Sequence, residues 1–385
     1  MTVAAPMPKA TDRKKPQLPC LTGARFLAAL AVVSFHFGTT APLGRQAVSF
    51  FFILSGLVLA YTYHDSLICE EVTWPQFMNL RLGRILPMHI VGWLVATALL
   101  WGGSWKSWAA GLLCVQVYWP SRDLAFAWNG PAWSISCELF FYTTLPFLVP
   151  RIARLRSTSS VLKLMATLYA IQVIMYLGSA SILLHRLEVT GSVMGYSAPL
   201  PLLSSVLMLF PLIRLPEFLI GCCLGILVLR KPSVFSPSTA NLALLLSGLA
   251  YFTLIYLPWS AWGPFCESTR DFLIFVPAAT IATAAFASGT SAISLLLELP
   301  SIVLLGEASY SLYMIHWSAF IIFVMYGRSS LAYLLCLHGA LAASVLCYRY
   351  IETPARNWWR RQNVAHNGAG RANICHSSDL LEQLR

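Results

Sequence analysis

The chain has 385 residues, of which 57% are hydrophobic and only 11% are charged, and its net charge is +11. Ordinary soluble domains carry about 25% charged residues, so this composition excludes a soluble globular protein and predicts an all-α, polytopic transmembrane helical bundle. The positive charge does not indicate a nucleic-acid partner, because Lys and Arg collect in the cytoplasmic loops of membrane proteins.

Ten apolar segments are long enough to span a membrane. In chain order they lie near residues 22–40, 46–63, 85–103, 132–150, 161–183, 204–229, 239–258, 271–289, 301–326 and 330–348. A further stretch, 108–119, is too short to cross and is expected to be re-entrant or to lie in the interface. With this assignment, 19 Lys and Arg residues lie on one side and 7 on the other. The positive-inside rule then places both termini in the cytoplasm.

No globular domain is expected outside the bundle. The chain divides into a cytoplasmic N-terminal segment (1–17), a membrane domain (18–360) and a polar tail (361–385) that is expected to be disordered. The ten cysteines form no Cys-x-x-Cys pair. No metal-ligand spacing occurs among the scattered histidines, namely His64, His89, His185 and His338. The sequence therefore predicts neither a disulfide framework nor a metal site.

Two ionisable residues lie inside the first predicted span, where each needs a partner, a hydrated cavity or a function. The eleven residues from Arg25 to His36 make about three helical turns, or about 16 Å, so both side chains lie on nearly the same face. Arg25 is expected near one membrane surface and His36 deep in the bilayer. A buried neutral histidine can act as a general base. In the structural alternative, Arg25 reaches the membrane surface and His36 bonds a neighbouring helix.

Arg81 and Arg84 come just before the third predicted span and share one helix face. Their guanidinium groups suit phosphate oxygens, and Gly83 between them allows close approach. Contact with lipid headgroups is the structural alternative. Because His36 lies on the preceding hairpin, a diphosphate at the inner surface and a base about 16 Å deeper would match a cofactor with a long arm.

Polar side chains also occur in two later spans. Glu138, in the fourth, is either a counter-ion for Arg or His, or a group that orients His36 or binds an acceptor hydroxyl. Ser311, Tyr313 and His316, in the ninth, either join helices by hydrogen bonds or line a polar cavity as substrate-binding residues. Tyr313 and His316 are three residues apart and can face the same space.

Glu352 lies at the inner end of the last predicted span, just before Pro354, which is expected to end the helix. The carboxylate can form an ion pair within its own segment or across the bundle, with Arg349, Arg356, Arg81 or Arg84. A structural role is favoured over a catalytic one.

Taken together, these segments resemble the acyltransferase 3 family of bacterial multi-pass membrane O-acyltransferases. The resemblance covers about residues 18–360 and depends on the order of its motifs. They are Arg25 and His36; Phe51-Phe52-Ile53-Leu54-Ser55-Gly56; Arg81-Leu82-Gly83-Arg84; Trp133-Ser134 with Glu138 and Phe141-Tyr142; Glu217-Phe218-Leu219-Ile220-Gly221; Ser309-Tyr310-Ser311-Leu312-Tyr313 with His316-Trp317; and Glu352 with Pro354.

The resemblance implies a ten-span bundle in the bacterial inner membrane. Such a protein transfers an acyl group, usually acetyl, from cytoplasmic acyl-CoA to a hydroxyl of a carbohydrate or related acceptor. It also implies that Arg25 and His36 are essential and that Arg81 and Arg84 hold the CoA end. The chain ends near its last span and resembles stand-alone members, which lack an extracytoplasmic domain. Those modify exopolysaccharide, lipopolysaccharide, lipo-oligosaccharide signals or macrolides.

We therefore expect His36, Arg25 and Glu138 to be catalytic, with Tyr313 steadying the oxyanion. The expected partners are the lipid bilayer, acyl-CoA as donor substrate and a glycan or glycolipid acceptor, with no metal. The sequence leaves open the oligomeric state, a homo-oligomer included. One alternative is a transporter or flippase of a lipid-linked saccharide, whose polar residues would line a pathway. Another is a structural subunit of a glycan-assembly complex.

Overall fold

The computed structural model describes residues 15–38, 43–100, 102–119, 122–190, 209–232, 234–256 and 275–368, among which no β-strand occurs. The helices, in chain order, are α1 (Pro19–His36), α2 (Gly44–Ile68), α3 (Trp74–Leu100), α4 (Trp105–Leu112), α5 (Arg122–Ala125), α6 (Trp133–Ala153), α7 (Thr158–Thr190), α8 (Pro211–Arg230), α9 (Pro237–Tyr256), α10 (Phe275–Ser288), α11 (Ser294–Leu297), α12 (Pro300–Glu307), α13 (Ser309–Met325), α14 (Ser330–Cys347) and α15 (Thr353–Gly368). Short 3₁₀ turns cover Gln116–Tyr118 and Gly130–Ala132, and a π-helical turn, Tyr348–Glu352, joins α14 to α15.

The predicted all-helical, multi-span bundle is confirmed. In the described part of the chain, 7 helical segments are long and apolar enough to cross a membrane, or 8 if α12 and α13, bent by 65°, form one span. Two of the ten predicted spans are not among them. The span 239–258 corresponds to α9, which is described only to Tyr256, and the span 271–289 contains α10, which has only 14 residues. The total of ten and the cytoplasmic location of the termini stay predictions.

Three helix boundaries differ from the sequence prediction. Helix α1 ends at His36, and residues 39 and 40, the end of the predicted first span, lie outside the described residues. Helix α3 begins at Trp74, so Arg81 and Arg84 lie inside a helix. The expectation that Pro354 ends the last helix is wrong. Pro354 is the second residue of α15 and directly follows the π-helical turn Tyr348–Glu352, and the chain stays helical through it.

The short segment 108–119 contains the end of α4, which has 8 residues in all, and one 3₁₀ turn. Neither element is long enough to cross a membrane, in agreement with the sequence prediction. The predicted tail from residue 361 falls mostly outside the described residues, since 369–385 are not described and 361–368 belong to α15.

Helices α2 and α8 pack with their backbones in contact. A Cβ atom added to Gly56 would lie 1.9 Å from the carbonyl oxygen of Phe218, and one added to Gly221 would lie 1.9 Å from the carbonyl oxygen of Ile53. Small residues at these positions therefore let the two helices approach closely. This contact holds α2 in place, and the side chain of Ser55 on α2 lines a central cavity.

The first half of α1 is enclosed by a second set of close contacts. A Cβ at Gly23 would lie 2.1 Å from the carbonyl oxygen of Leu297, and one at Gly306 would lie 2.0 Å from the carbonyl oxygen of Thr22. Immediately after Gly306 the chain bends at Ala308, between α12 and α13. This bend directs the first turn of α13 towards the same central cavity.

We expect Gly56→Ala to lower the melting temperature of the purified protein in detergent, since the added methyl group must displace α8. Overpacking a tight core position costs about 1–3 kcal/mol. Gly178→Ala is the matched control, because no atom lies within 4 Å of a Cβ at this exposed position of α7, and Ala is the better helix former. Equal melting temperatures for the two variants would contradict the tight contact.

Candidate active site

A cavity of about 680 Å³ lies between α1, α2, α3, α6, α12, α13 and α15. This volume falls in the range of about 300–1,000 Å³ that is typical of small-molecule sites. Its charged lining is mostly basic and consists of Lys15, Arg25, Arg81, Arg84, Arg356 and Arg360, with Glu138 and Glu307 as the acidic members. Because cations within an apolar bundle need water or anions around them, the cavity suits an anionic ligand.

The eight candidate residues named from the sequence fall into two groups. The first group lines the cavity and consists of Arg25, Arg81, Arg84, Glu138 and Tyr313. The second group lies outside its lining and consists of His36, Ser311 and His316. Helix packing thus collects side chains from four separate helices around one space.

Arg81 is held by aromatic side chains. Its Nη2 atom donates a hydrogen bond of 2.8 Å to the hydroxyl of Tyr63, and its guanidinium carbon lies 5.1 Å from the centre of that ring and 5.9 Å from the centre of the Phe77 ring. The Nε atom has no hydrogen-bond partner among the described residues. Arg81 is thereby fixed in position at the lining of the cavity.

Arg84 is paired across the bundle. Its Nη1 atom lies 3.9 Å from Oε1 of Glu352, a fully buried carboxylate at the end of the π-helical turn. The other oxygen, Oε2, accepts a hydrogen bond of 2.8 Å from the hydroxyl of Ser311. Of the partners considered for Glu352, the structure therefore selects Arg84. Ser311, which was predicted to bind substrate, instead donates its hydrogen bond to Glu352 and so stabilises this ion pair.

Two cavity arginines lie on α15 and were missed as ligand-binding candidates. Arg356 and Arg360 are only 6% and 7% exposed, yet both line the cavity. Trp359 attaches α15 to α3, since its Nε1 donates to Oδ1 of Asn79 at 2.6 Å and its ring covers Gly83. The spacing of four residues between the two arginines, which places them on one helix face, was the available sequence signal.

Glu138 faces the cavity from α6. Its Oε2 atom accepts a hydrogen bond of 2.7 Å from the hydroxyl of Tyr142, one helical turn further on. Arg25 of α1 lines the same cavity and is within electrostatic range of both Glu138 and Arg84. The carboxylate and the Arg25 guanidinium therefore share a polar space in the middle of the cavity.

His36 and His316 contact each other beyond the cavity. His36 is the last residue of α1 and is partly buried, whereas His316 on α13 is fully buried. The Nδ1 atom of His36 lies 3.1 Å from Nε2 of His316, and the Trp317 ring lies 5.2 Å from the His36 ring. Neither contact could be inferred from local sequence, since α1 and α13 are 280 residues apart at this point.

Tyr313 separates the cavity from the histidine pair. Its hydroxyl hydrogen-bonds the Ser134 hydroxyl at 2.9 Å and lies 3.2 Å from the Pro131 carbonyl oxygen. Its ring lies 5.8 Å from that of His316 and 6.1 Å from that of Phe51. Tyr313, Ser134 and Phe51 therefore form the end of the cavity that faces the imidazoles.

The described cysteines are all free thiols. Cys114, in the connection after α4, is buried, and its sulfur lies 3.3 Å from Nε2 of His89. Burial raises the pKa of the Cys114 thiol to about 12, so it stays protonated at neutral pH and is a poor nucleophile. Within the described ranges, no group of three or more His, Cys, Asp or Glu side chains is placed to hold a metal ion.

Comparison with known proteins gives one family and one curated relative. A family profile described as "Acyltransferase domain" matches residues 18–349. The chain is also 30% identical over 330 residues to the protein described as acyltransferase MdmB of Streptomyces mycarofaciens, an alignment that covers 78% of each protein. No solved structure matches the chain.

We expect Ser311→Ala to destabilise the protein, because Oε2 of buried Glu352 loses its donor. An unsatisfied buried polar group costs about 1–3 kcal/mol. Ser318→Ala is the matched control on the same helix: Ser318 is buried, and its hydroxyl has no hydrogen-bond partner among the described residues. Thermal unfolding in detergent compares the two variants, and a Ser318→Ala variant that melts as low as Ser311→Ala would contradict the role of Ser311.

Proposed function

The chain belongs to the acyltransferase 3 family and is an enzyme that transfers acyl groups, and from this premise we propose that it moves an acyl group, acetyl in the simplest case, from acyl-CoA to a hydroxyl of a carbohydrate or related acceptor. The cavity with its six basic side chains is the observation that carries the proposal. Coenzyme A ends in a diphosphate and a 3′-phosphate, and these groups match a space lined by arginines.

The donor binds with its phosphates at the end of the cavity formed by Arg81, Arg84, Arg356 and Arg360. The side chains of Arg81 and Arg356 line the cavity, so N–H groups of their guanidinium forks can donate to phosphate oxygens. The pantetheine arm then extends past Arg25 towards Tyr313. Arg25 lines the path of the arm, where its guanidinium group can donate hydrogen bonds to the amide oxygens of the pantetheine.

Transfer takes place at the Tyr313 end of the cavity. The imidazole of His36 removes the proton from the acceptor hydroxyl, whose oxygen attacks the thioester carbonyl carbon. The C–S bond breaks, and the thiolate of CoA leaves with the proton that His36 returns. The Tyr313 hydroxyl, which lines the cavity, exchanges its hydrogen bond to the Pro131 carbonyl oxygen for one to the thioester carbonyl oxygen as negative charge develops there. Glu138, near Arg25, keeps that guanidinium group oriented.

The acceptor approaches His36 from the end of α1 opposite the basic cavity. Such an arrangement lets a donor that cannot cross the membrane modify a hydroxyl on the other side. It accords with the predicted cytoplasmic location of the N-terminal segment and with a multi-pass protein of the bacterial inner membrane.

The test uses the purified full-length protein in lipid nanodiscs with radiolabelled acetyl-CoA. We expect acyl transfer to added glycans or slow hydrolysis of the thioester. In a second experiment, mass spectrometry of glycans from cells with and without the protein identifies the acceptor. If the protein neither hydrolyses nor transfers acyl groups but moves a lipid-linked saccharide across liposomes, the flippase alternative is correct and the proposal fails.

His36→Ala is expected to reduce acyl transfer by at least about 100-fold, since general-base catalysis contributes about 10²–10⁴-fold. His338→Ala is the matched control, because His338 is exposed on α14 and should keep wild-type activity. Both variants should elute from size-exclusion chromatography as the wild type does. Acylation at the wild-type rate by His36→Ala would remove His36 from the mechanism.

Arg356→Ala and Arg360→Ala are each expected to raise KM for acetyl-CoA about tenfold or more. Hydrogen bonds to charged groups contribute about 1.5–3 kcal/mol, and each 1.4 kcal/mol is about tenfold in affinity. Arg361→Ala, at an exposed position of the same helix, is the matched control and should leave KM unchanged.

A donor without phosphates tests whether these arginines act on the phosphates. With the acetyl thioester of N-acetylcysteamine, wild type and both arginine variants should have the same kcat/KM. A tenfold deficit that persists with this short donor would show that the substitutions act elsewhere than on the phosphates.

A further inference from the structure

The two imidazoles that meet across α1 and α13 form a hydrogen-bonded pair with a defined direction. We propose that His316 is a positioning residue, which fixes the ring orientation and the tautomer of His36 so that Nε2 of His36 is the basic atom. This inference rests on the proposed function, since it gives His36 the task of general base. It replaces the sequence-based expectation that His316 binds substrate.

The proton positions on His316 follow from its neighbours. Its Nδ1 atom lies 2.8 Å from the carbonyl oxygen of Tyr313 and 3.3 Å from that of Leu312. A carbonyl oxygen can only accept a hydrogen bond, so Nδ1 carries the proton. In the neutral ring, Nε2 of His316 then has a free lone pair and acts as an acceptor.

The same reasoning applies to His36. Its Nδ1 atom lies 3.0 Å from the carbonyl oxygen of Val32 and 3.1 Å from Nε2 of His316. Both neighbours are acceptors, so Nδ1 of His36 carries the proton and shares it between them. The remaining nitrogen, Nε2, is unprotonated in the neutral ring and is free to take a proton from an acceptor hydroxyl.

His316 has no direct access to substrate. It is 0% exposed, and both of its nitrogens are used within the protein. The Tyr313 ring lies between it and the cavity, 5.8 Å from the His316 ring. Of the titratable side chains in the described part of the chain, His36 and Tyr313 are the ones whose rings contact the His316 ring. His316 therefore acts on the reaction through His36.

The contact becomes stronger as the reaction proceeds. When His36 takes up a proton at Nε2, its ring becomes an imidazolium, and the hydrogen bond from Nδ1 to His316 becomes charge-assisted. An interaction that is stronger in the transition state than in the ground state accelerates the chemical step. Loss of His316 should therefore lower kcat and leave donor binding in the arginine-lined cavity unchanged.

The test compares His316→Met with His316→Gln in the full-length protein in nanodiscs. Methionine fills similar volume without a strong acceptor, whereas the glutamine amide oxygen can accept the hydrogen bond from His36. We expect His316→Met to lower kcat on the order of 10–100-fold, the range measured when a residue that orients a metal-binding histidine is removed, with KM for acetyl-CoA within about twofold of wild type. His316→Gln should recover most of kcat.

Equal activities of His316→Met and His316→Gln, or wild-type kcat in His316→Met, would overturn the inference while the proposed function stands. If the wild type itself fails to turn over acetyl-CoA, the proposed function fails instead. A packing role alone predicts lower melting temperatures and fewer active molecules, without a difference between Met and Gln.

A second measurement needs no folded His316 variant. In protein labelled with ¹⁵N-histidine, the His36 signals are identified by their absence in His36→Ala. Above the pH at which the ring protonates, we expect the Nδ1 signal in the range of protonated nitrogen and the Nε2 signal in the range of unprotonated nitrogen. The opposite tautomer would overturn the inference even if the protein is an active acyltransferase.

Discussion

Six positively charged side chains gathered around one cavity of a largely apolar bundle are the constraint on which the rest of the structure depends. A cation removed from bulk water needs a counter-charge, an aromatic face or a hydrated space. The protein uses all three: Arg84 pairs with Glu352, Arg81 lies over the Tyr63 ring, and both face a cavity that admits an anionic ligand. The π-helical turn before α15 contributes to this charge balance, because it carries the counter-charge Glu352 into the bundle.

The glycine contacts explain how such a polar cavity is kept in a helical bundle. Where Gly56 meets Phe218 and Gly306 meets Thr22, helices approach until their backbones touch. These contacts fix α2 and the first half of α1 at positions where no side chain could separate them.

Helix α1 connects the two parts of the site. Arg25, near its start, lines the cationic cavity, and His36, its last residue, meets the imidazole of His316. Tyr313 stands between these regions and contacts both. In the proposed reaction the charged end of the donor therefore stays in the cavity, and only its thioester reaches the Tyr313 end, near the base.

The sequence by itself determined the all-helical membrane class and the ionisable residues within apolar runs, such as Arg25 and Glu138, because the free-energy penalty of a charge in hydrocarbon depends on local composition. Only the tertiary structure decided that Arg356 and Arg360 line the cavity and that His316 is the partner of His36. Those contacts join helices far apart in the chain. Which helix faces meet is settled by the packing of the whole bundle, and no local pattern of residues encodes it.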